Sequence, residues 1–185
     1  LKNERIILGI DPGTNIMGYG IIKIVNSLPQ LVNLDIIELK KITDHYVKLK
    51  KLFEKTIELI EHYLPDELAI EAPFYGKNVQ SMLLLGRAQG VAISAALNRA
   101  IPVFEYSPRK IKLSITGHGN ASKEQVAAML KNILKIDKIP RNLDATDGLA
   151  VAMCHFYQNN LLNEPGSYKS WNEFIKKNPG RINQG

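Results

Sequence analysis

The feature that most constrains the fold is a short apolar run set between two long helical patterns. Glu67-Leu-Ala-Ile-Glu71-Ala72 stops at Pro73, which cannot continue a central strand, so it reads as a buried strand ending near Glu71. Before it, Val47, Leu49, Leu52, Phe53, Ile57, Leu59, Ile60 and Tyr63 recur at helical spacing, with Asp44 suited to the N-cap and Pro65-Asp66 ending the pattern. After it, residues 79–99 are apolar almost all round, which predicts a helix buried on more than one side. The sheet can cover one side; either the rest of the monomer or a second subunit can cover the other. A strand reached through a crossover helix can pair parallel with an earlier strand, so the run ties the two halves of the chain into one sheet.

The earlier strands are residues 5–10 and 17–25, a hairpin folded about Asp11-Pro-Gly13. A turn is expected at 28–30, followed by a third antiparallel strand at 31–39. Residues 101–106 supply a fifth strand, and Pro108 opens a short helix to about Ile115. Ser122 with Gln125 forms a capping box for a helix to about Leu134, and a last helix is expected over 141–159. The order β-β-β-α-β-α-β predicts an α/β fold, a five-stranded mixed sheet flanked by helices on both faces. The expected division is a body at 1–158 and a loosely ordered basic tail at 159–185, whose Tyr168, Trp171 and Phe174 could pack on the body.

Hydrophobic residues make up 45% of the chain, enough for a real core and too many for global disorder. Cys154 is the single cysteine and lies among apolar residues, which places it in the core and excludes an internal disulfide or a Cys-based zinc site. No run is long enough to span a membrane and no signal-like apolar region is visible, so the expected location is cytoplasmic. The net charge is +6, and residues 107–141 carry eight Lys or Arg against only Glu124 and Asp137. That concentration suits a polyanion such as nucleic acid, and equally a solvated helix surface.

Four acids bear on chemistry. Asp11 either caps the Pro-Gly turn or serves as a ligand. Asp144 and Asp147 are three apart at a helix start and share one face, as a macrodipole alone would favour and as a site would require. If the strands ending at Asp11 and Glu71 are parallel neighbours, both acids lie at one sheet edge, at carboxyl strand ends. Four unpaired carboxylates there would raise one another's pKa values. Hard divalent ions such as Mg²⁺ or Mn²⁺ remove that conflict, and two of them suit phosphodiester hydrolysis.

Read together, Gly9-Ile-Asp-Pro-Gly-Thr14, Ala69-Ile-Glu-Ala-Pro-Phe74, Lys77-Asn78, Leu85-Gly-Arg-Ala-Gln-Gly90, Glu105-Tyr-Ser-Pro108, Ile111-Lys112, Thr116-Gly-His-Gly119, Ser122-Lys-Glu-Gln-Val126 and Asp144-Ala-Thr-Asp-Gly-Leu-Ala150 resemble the RuvC family of bacterial Holliday-junction resolvases, within the ribonuclease H-like superfamily. The likeness spans about residues 7–157. It implies that Asp11, Glu71, Asp144 and Asp147 are the catalytic, metal-binding quartet, holding two Mg²⁺ ions for which Mn²⁺ substitutes. It implies a homodimer that resolves four-way junction DNA by paired nicks in recombination and repair. DNA contacts are then expected at Phe74, which stacks on a base, and at Lys77, Arg109, Lys112 and Lys123. A junction-binding protein and a branch-migration motor, RuvA and RuvB, are the implied partners. His118 receives no role beyond DNA contact. At Gly148 the family more often has Ala, a difference expected to cost about 1 kcal/mol of helix propensity and no chemistry.

Two rivals remain at this point. The first hairpin also resembles that of ATP-handling proteins of the actin and sugar-kinase type, whose two lobes exceed what 185 residues supply. A non-catalytic junction-binding subunit is the other, and it leaves the four acids without a task.

Overall fold

The computed structural model describes residues 4–73, 78–140 and 142–163. The strands are β1 (Glu4–Asp11), β2 (Ile16–Val25), β3 (Leu28–Glu38), β4 (Glu67–Glu71) and β5 (Val103–Tyr106). The helices are α1 (His45–Tyr63), α2 (Val79–Asn98), α3 (Pro108–Thr116), α4 (Lys123–Leu134) and α5 (Asp144–Asn163). The sheet order is β3-β2-β1-β4-β5. β1 pairs antiparallel with β2 and β2 with β3, while β1, β4 and β5 run parallel. The expected five-stranded mixed sheet with helices on both faces is therefore the fold.

Alternation along the strands divides the core into two layers, because successive side chains point to opposite faces. Ile7, Ile22, Ala69 and Tyr106 pack with α3, α4 and α5 through Ile111, Leu130, Leu149 and Met153. Leu8, Ile10, Ile21, Leu68 and Ile70 face α1 and α2 through Leu52, Ile60, Ala88 and Ala92. Cys154 is fully buried in the first layer, as its apolar neighbours predict. Asp44 caps α1 by accepting from the Val47 amide, and Ser122 and Gln125 make the capping box of α4.

Three boundaries differ from the expectation. The turn expected at Leu28–Gln30 is instead Asn26-Ser27, both in the left-handed region at φ 50 and 63. Two consecutive left-handed residues make a tight two-residue hairpin turn. β3 therefore begins at Leu28, and Pro29 is tolerated because β3 is an edge strand. The last helix begins at Asp144 rather than Arg141, since the Asn142 side chain accepts the Asp144 amide and ends the loop there. α5 then continues to Asn163, past the helix end expected at residue 159. Tyr168, Trp171 and Phe174 lie outside the described residues.

α5 lies unusually close to the sheet. A Cβ at Gly20 would sit 2.4 Å from the Leu149 Cα, and one at Gly148 would sit 2.4 Å from the Tyr19 Cα. Helix and strand thus meet main chain to main chain. Gly148 is a packing requirement in this chain and not merely the small loss of helix propensity that its place in a helix suggested.

Candidate active site

The alternation that builds the core also places the acids. Ile7, Gly9 and Asp11 point to the α5 face of β1, and Glu67, Ala69 and Glu71 point to the same face of β4. Ile10 is in register with Ile70 across the parallel pair, so Asp11 and Glu71 follow side by side at the carboxyl ends of their strands. The close seat of α5 brings its first turn over the same edge. Asp11, Glu71 and Asp147 line one cavity of about 280 Å³, together with Pro108, Ile111, Lys112, Lys123, Val126 and Ala150. Asp144 stands beside it, joined to Asp147 through Lys123: the Nζ donates to Asp144 Oδ1 at 2.9 Å and to Asp147 Oδ2 at 2.5 Å. The four acids, drawn from three elements, thus come together.

The electrostatics are those of an excess of negative charge in a partly dry place. Burial, then the nearby Asp147 carboxylate, push Asp11 up to about 7. Burial, then Asp11 and Asp147, push Glu71 up to about 8. Asp147 is also raised by burial, against the opposing pull of Lys123. Burial tends to lower the Lys123 ammonium, but its bonds to Asp147 and Asp144 win and hold it above the usual lysine range. Lys112 acts on Glu71 and Asp147 in the same sense, lowering both. A set of oxygen donors short of positive charge fits a hard divalent cation. As the side chains stand, no three acids among the described residues are grouped closely enough to hold an ion. Lys123 is the cation standing between two of them.

The basic residues divide. Lys112 and Lys123 line the cavity. Arg109 is exposed on α3, and its side chain lies against Gly119, where a Cβ would come within 2.6 Å of the Arg109 Cγ. His118 sits exposed in the same loop, and Thr116 Oγ1 accepts its amide at 3.1 Å. Phe74 and Lys77 lie outside the described residues.

Two arrangements were not foreseen from the sequence. Gln89 of α2 is buried, and its Nε2 donates to the Glu71 carbonyl at 3.3 Å and to Glu105 Oε2 at 2.8 Å. It ties the end of β4 to the opposite layer and fixes the backbone that carries Glu71. The second is a network that runs behind the site, from Tyr106, in register with Glu71, back to Glu67 at the start of β4. His155, fully buried, meets the Tyr106 hydroxyl through Nδ1 at 2.6 Å and Glu67 through Nε2 at 2.9 Å. Burial pushes the Tyr106 phenol up to about 12. A polar residue inside an apolar helical stretch is the one cue either gave.

Comparison with known proteins decides the family. The family described as Crossover junction endodeoxyribonuclease RuvC matches residues 7–155. A Crossover junction endodeoxyribonuclease RuvC from Christiangramia forsetii is 62% identical over 182 residues, 98% of this chain and 95% of that one. The chain belongs to the RuvC family. A second RuvC, from Cytophaga hutchinsonii, is 59% identical over 97% of this chain and 88% of its own length. Among solved structures, T. thermophilus RuvC in complex with Holliday junction substrate superposes with a TM-score of 0.77 at 27% identity, covering 84% of this chain and 96% of that one. The RuvC match takes in all four acids of the site, from Asp11 to Asp147.

Proposed function

We propose that this protein is a metal-dependent endodeoxyribonuclease that resolves four-way DNA junctions by paired, symmetric nicks, in homologous recombination and repair. The observation that carries the reading is the meeting of Asp11, Glu71 and Asp147 at one cavity edged by Lys112 and Lys123, with Asp144 beside it on Lys123. These four carboxylates would hold two Mg²⁺ ions, with Mn²⁺ able to substitute. Such ions, when bound, activate a water for in-line attack on phosphorus and stabilise the departing 3′ oxygen.

The protein's own groups do the rest. Asp11 and Glu71, both raised by burial and by their neighbours' charge, hold protons more readily than free carboxyls, and a bound cation would displace those protons. Lys112 faces the cavity, where an ammonium neutralises charge gathering on a phosphate. Arg109, exposed on the neighbouring helix, holds the DNA backbone outside it. Phe74 would stack on a base near the junction centre and Lys77 would meet a phosphate, both on the segment that follows Glu71.

A homodimer accounts for paired nicks, one per protomer. The exposed side of α2, with Val79, Leu83 and Leu97 open to solvent, is the face such a dimer would cover. RuvA and RuvB are the partners the family likeness implies, and the cytoplasm the compartment. Among the described residues no helix is long and apolar enough to cross a membrane.

The deciding experiment compares wild type with Asp11→Asn on a synthetic four-way junction in Mg²⁺, with DNA binding measured alongside. Cutting should be lost by at least a hundredfold while binding persists. Loss of both would mean that Asp11 maintains the fold rather than the chemistry.

A further inference from the structure

We infer that Lys123 is a built-in substitute for the divalent cation, clamping Asp144 and Asp147 while DNA is absent and leaving them when the ion and a DNA phosphate arrive. The inference rests on the metal-site reading above and adds a coupling to it: the ion displaces one side chain from the acids, and the substrate phosphate receives it.

The geometry is specific. Lys123 bridges two acids on successive positions of one face of α5, at 2.9 Å and 2.5 Å. Asp147 is only 15% exposed, so its charge requires a partner, while the Lys123 side chain is 50% exposed and can swing to solvent. Lys123 is the first residue of α4, directly after the Ser122 cap. A cation there opposes the helix macrodipole, and no acid of its own helix start relieves it except Glu124. Its favourable interactions are with α5. The backbone that carries it is fixed by the capping box, while its four-carbon stem remains free to choose between partners. Lys112, which also lines the cavity, lies on α3 and acts on Asp147 and Glu71, but the bonds that join Asp144 to Asp147 are those of Lys123.

An ion that needs Asp144 and Asp147 must first displace the ammonium. A partly exposed ion pair shifts an equilibrium by up to about fivefold, so the two bridges together weaken ion binding to the DNA-free protein by roughly two- to tenfold. A phosphate at the cavity offers the freed ammonium a new partner. By linkage, whatever the phosphate adds to ion affinity, the ion adds to DNA affinity. The consequence is a centre that stays poorly loaded until a junction is engaged.

The test is Mn²⁺ titration of the DNA-free protein, following free Mn²⁺ by paramagnetic resonance, which needs no turnover. Lys123→Met keeps the apolar stem and removes the charge, and should bind Mn²⁺ about two- to tenfold more tightly than wild type. Lys123→Gln provides a second, independent removal of the charge, and Lys123→Arg should bind no more tightly than wild type. Thermal melting establishes that each variant is folded. Folded Lys123→Met and Lys123→Gln with Mn²⁺ affinity equal to or below wild type would overturn the clamp while leaving the metal site standing. No Mn²⁺ binding by wild type or by any variant would refute the metal-site reading itself, and the clamp with it.

Discussion

Replacing Glu71 by Gln should make the metal-free protein more stable at alkaline pH, and the size of the gain can be worked from the site. The Glu71 carboxyl is raised from 4.5 to about 8, first by burial and then by Asp11 and Asp147. Between those values the native state holds a proton that the unfolded chain has already released. Stability therefore falls as pH rises from about 4.5 to about 8, and is lower by a fixed amount beyond it. At about 1.4 kcal/mol per pH unit the upper bound is near 5 kcal/mol. Asp11 shares the same repulsion and the cavity is open to water, which brings a realistic figure to about 2 kcal/mol. For a chain of this length that is a rise in Tm of roughly 4–8 °C. The assay is thermal unfolding of wild type and Glu71→Gln in chelator, from pH 4.5 to 8.5. The curves should coincide at pH 4.5 and separate by pH 8.5, and saturating Mg²⁺ should close the gap by stabilising wild type alone. A difference independent of pH, or a variant less stable at pH 8.5, would refute the claim that Glu71 is held in an uncompensated cluster.

Other outcomes follow from the same structure. Gly148→Ala forces a methyl against the Tyr19 backbone, and overpacking of this kind costs about 1–3 kcal/mol; junction cutting should fall further than a denaturant midpoint would suggest, because Asp144 and Asp147 move with α5. Tyr106→Phe leaves the buried His155 Nδ1 without its partner, at about 1–3 kcal/mol by urea unfolding, with Mn²⁺ binding unchanged. Arg109→Ala should weaken junction binding and lower the slope of log affinity against log salt by about one, with cleavage at saturating DNA little affected.

How legible the site was depends on how far the cause lies along the chain. Asp11 and Glu71 could be placed because two short strands end on acids, and a parallel pairing across one helix leaves few alternatives. Asp144 and Asp147 were visible as a pair, yet their spacing alone fits helix-end electrostatics as well as it fits a site. What pulls them to the cavity is the glycine contact of α5 with β2, whose partners are more than a hundred residues apart. No local pattern carries that, so Gly148 looked like a minor departure. The β2–β3 turn was misplaced because Asn26-Ser27 lacks a glycine, and Pro29 drew attention to the wrong residues. Lys123 was legible as a phosphate contact; its bond to two acids depends on α4 and α5 packing side by side.

The meeting of α5 with the hairpin strands also bears on how such a centre can change over evolutionary time. Where side chains fill the gap between two elements, exchanges of one size for another retune their spacing in small steps. Here backbone rests on backbone, so the smallest available step is a whole methyl group. The interval between the hairpin acid and the helix acids is therefore close to quantised. Adaptation of this protein to other ions or other nucleic-acid shapes would have to come from the basic rim and the following segment, with the acids themselves held at a fixed separation.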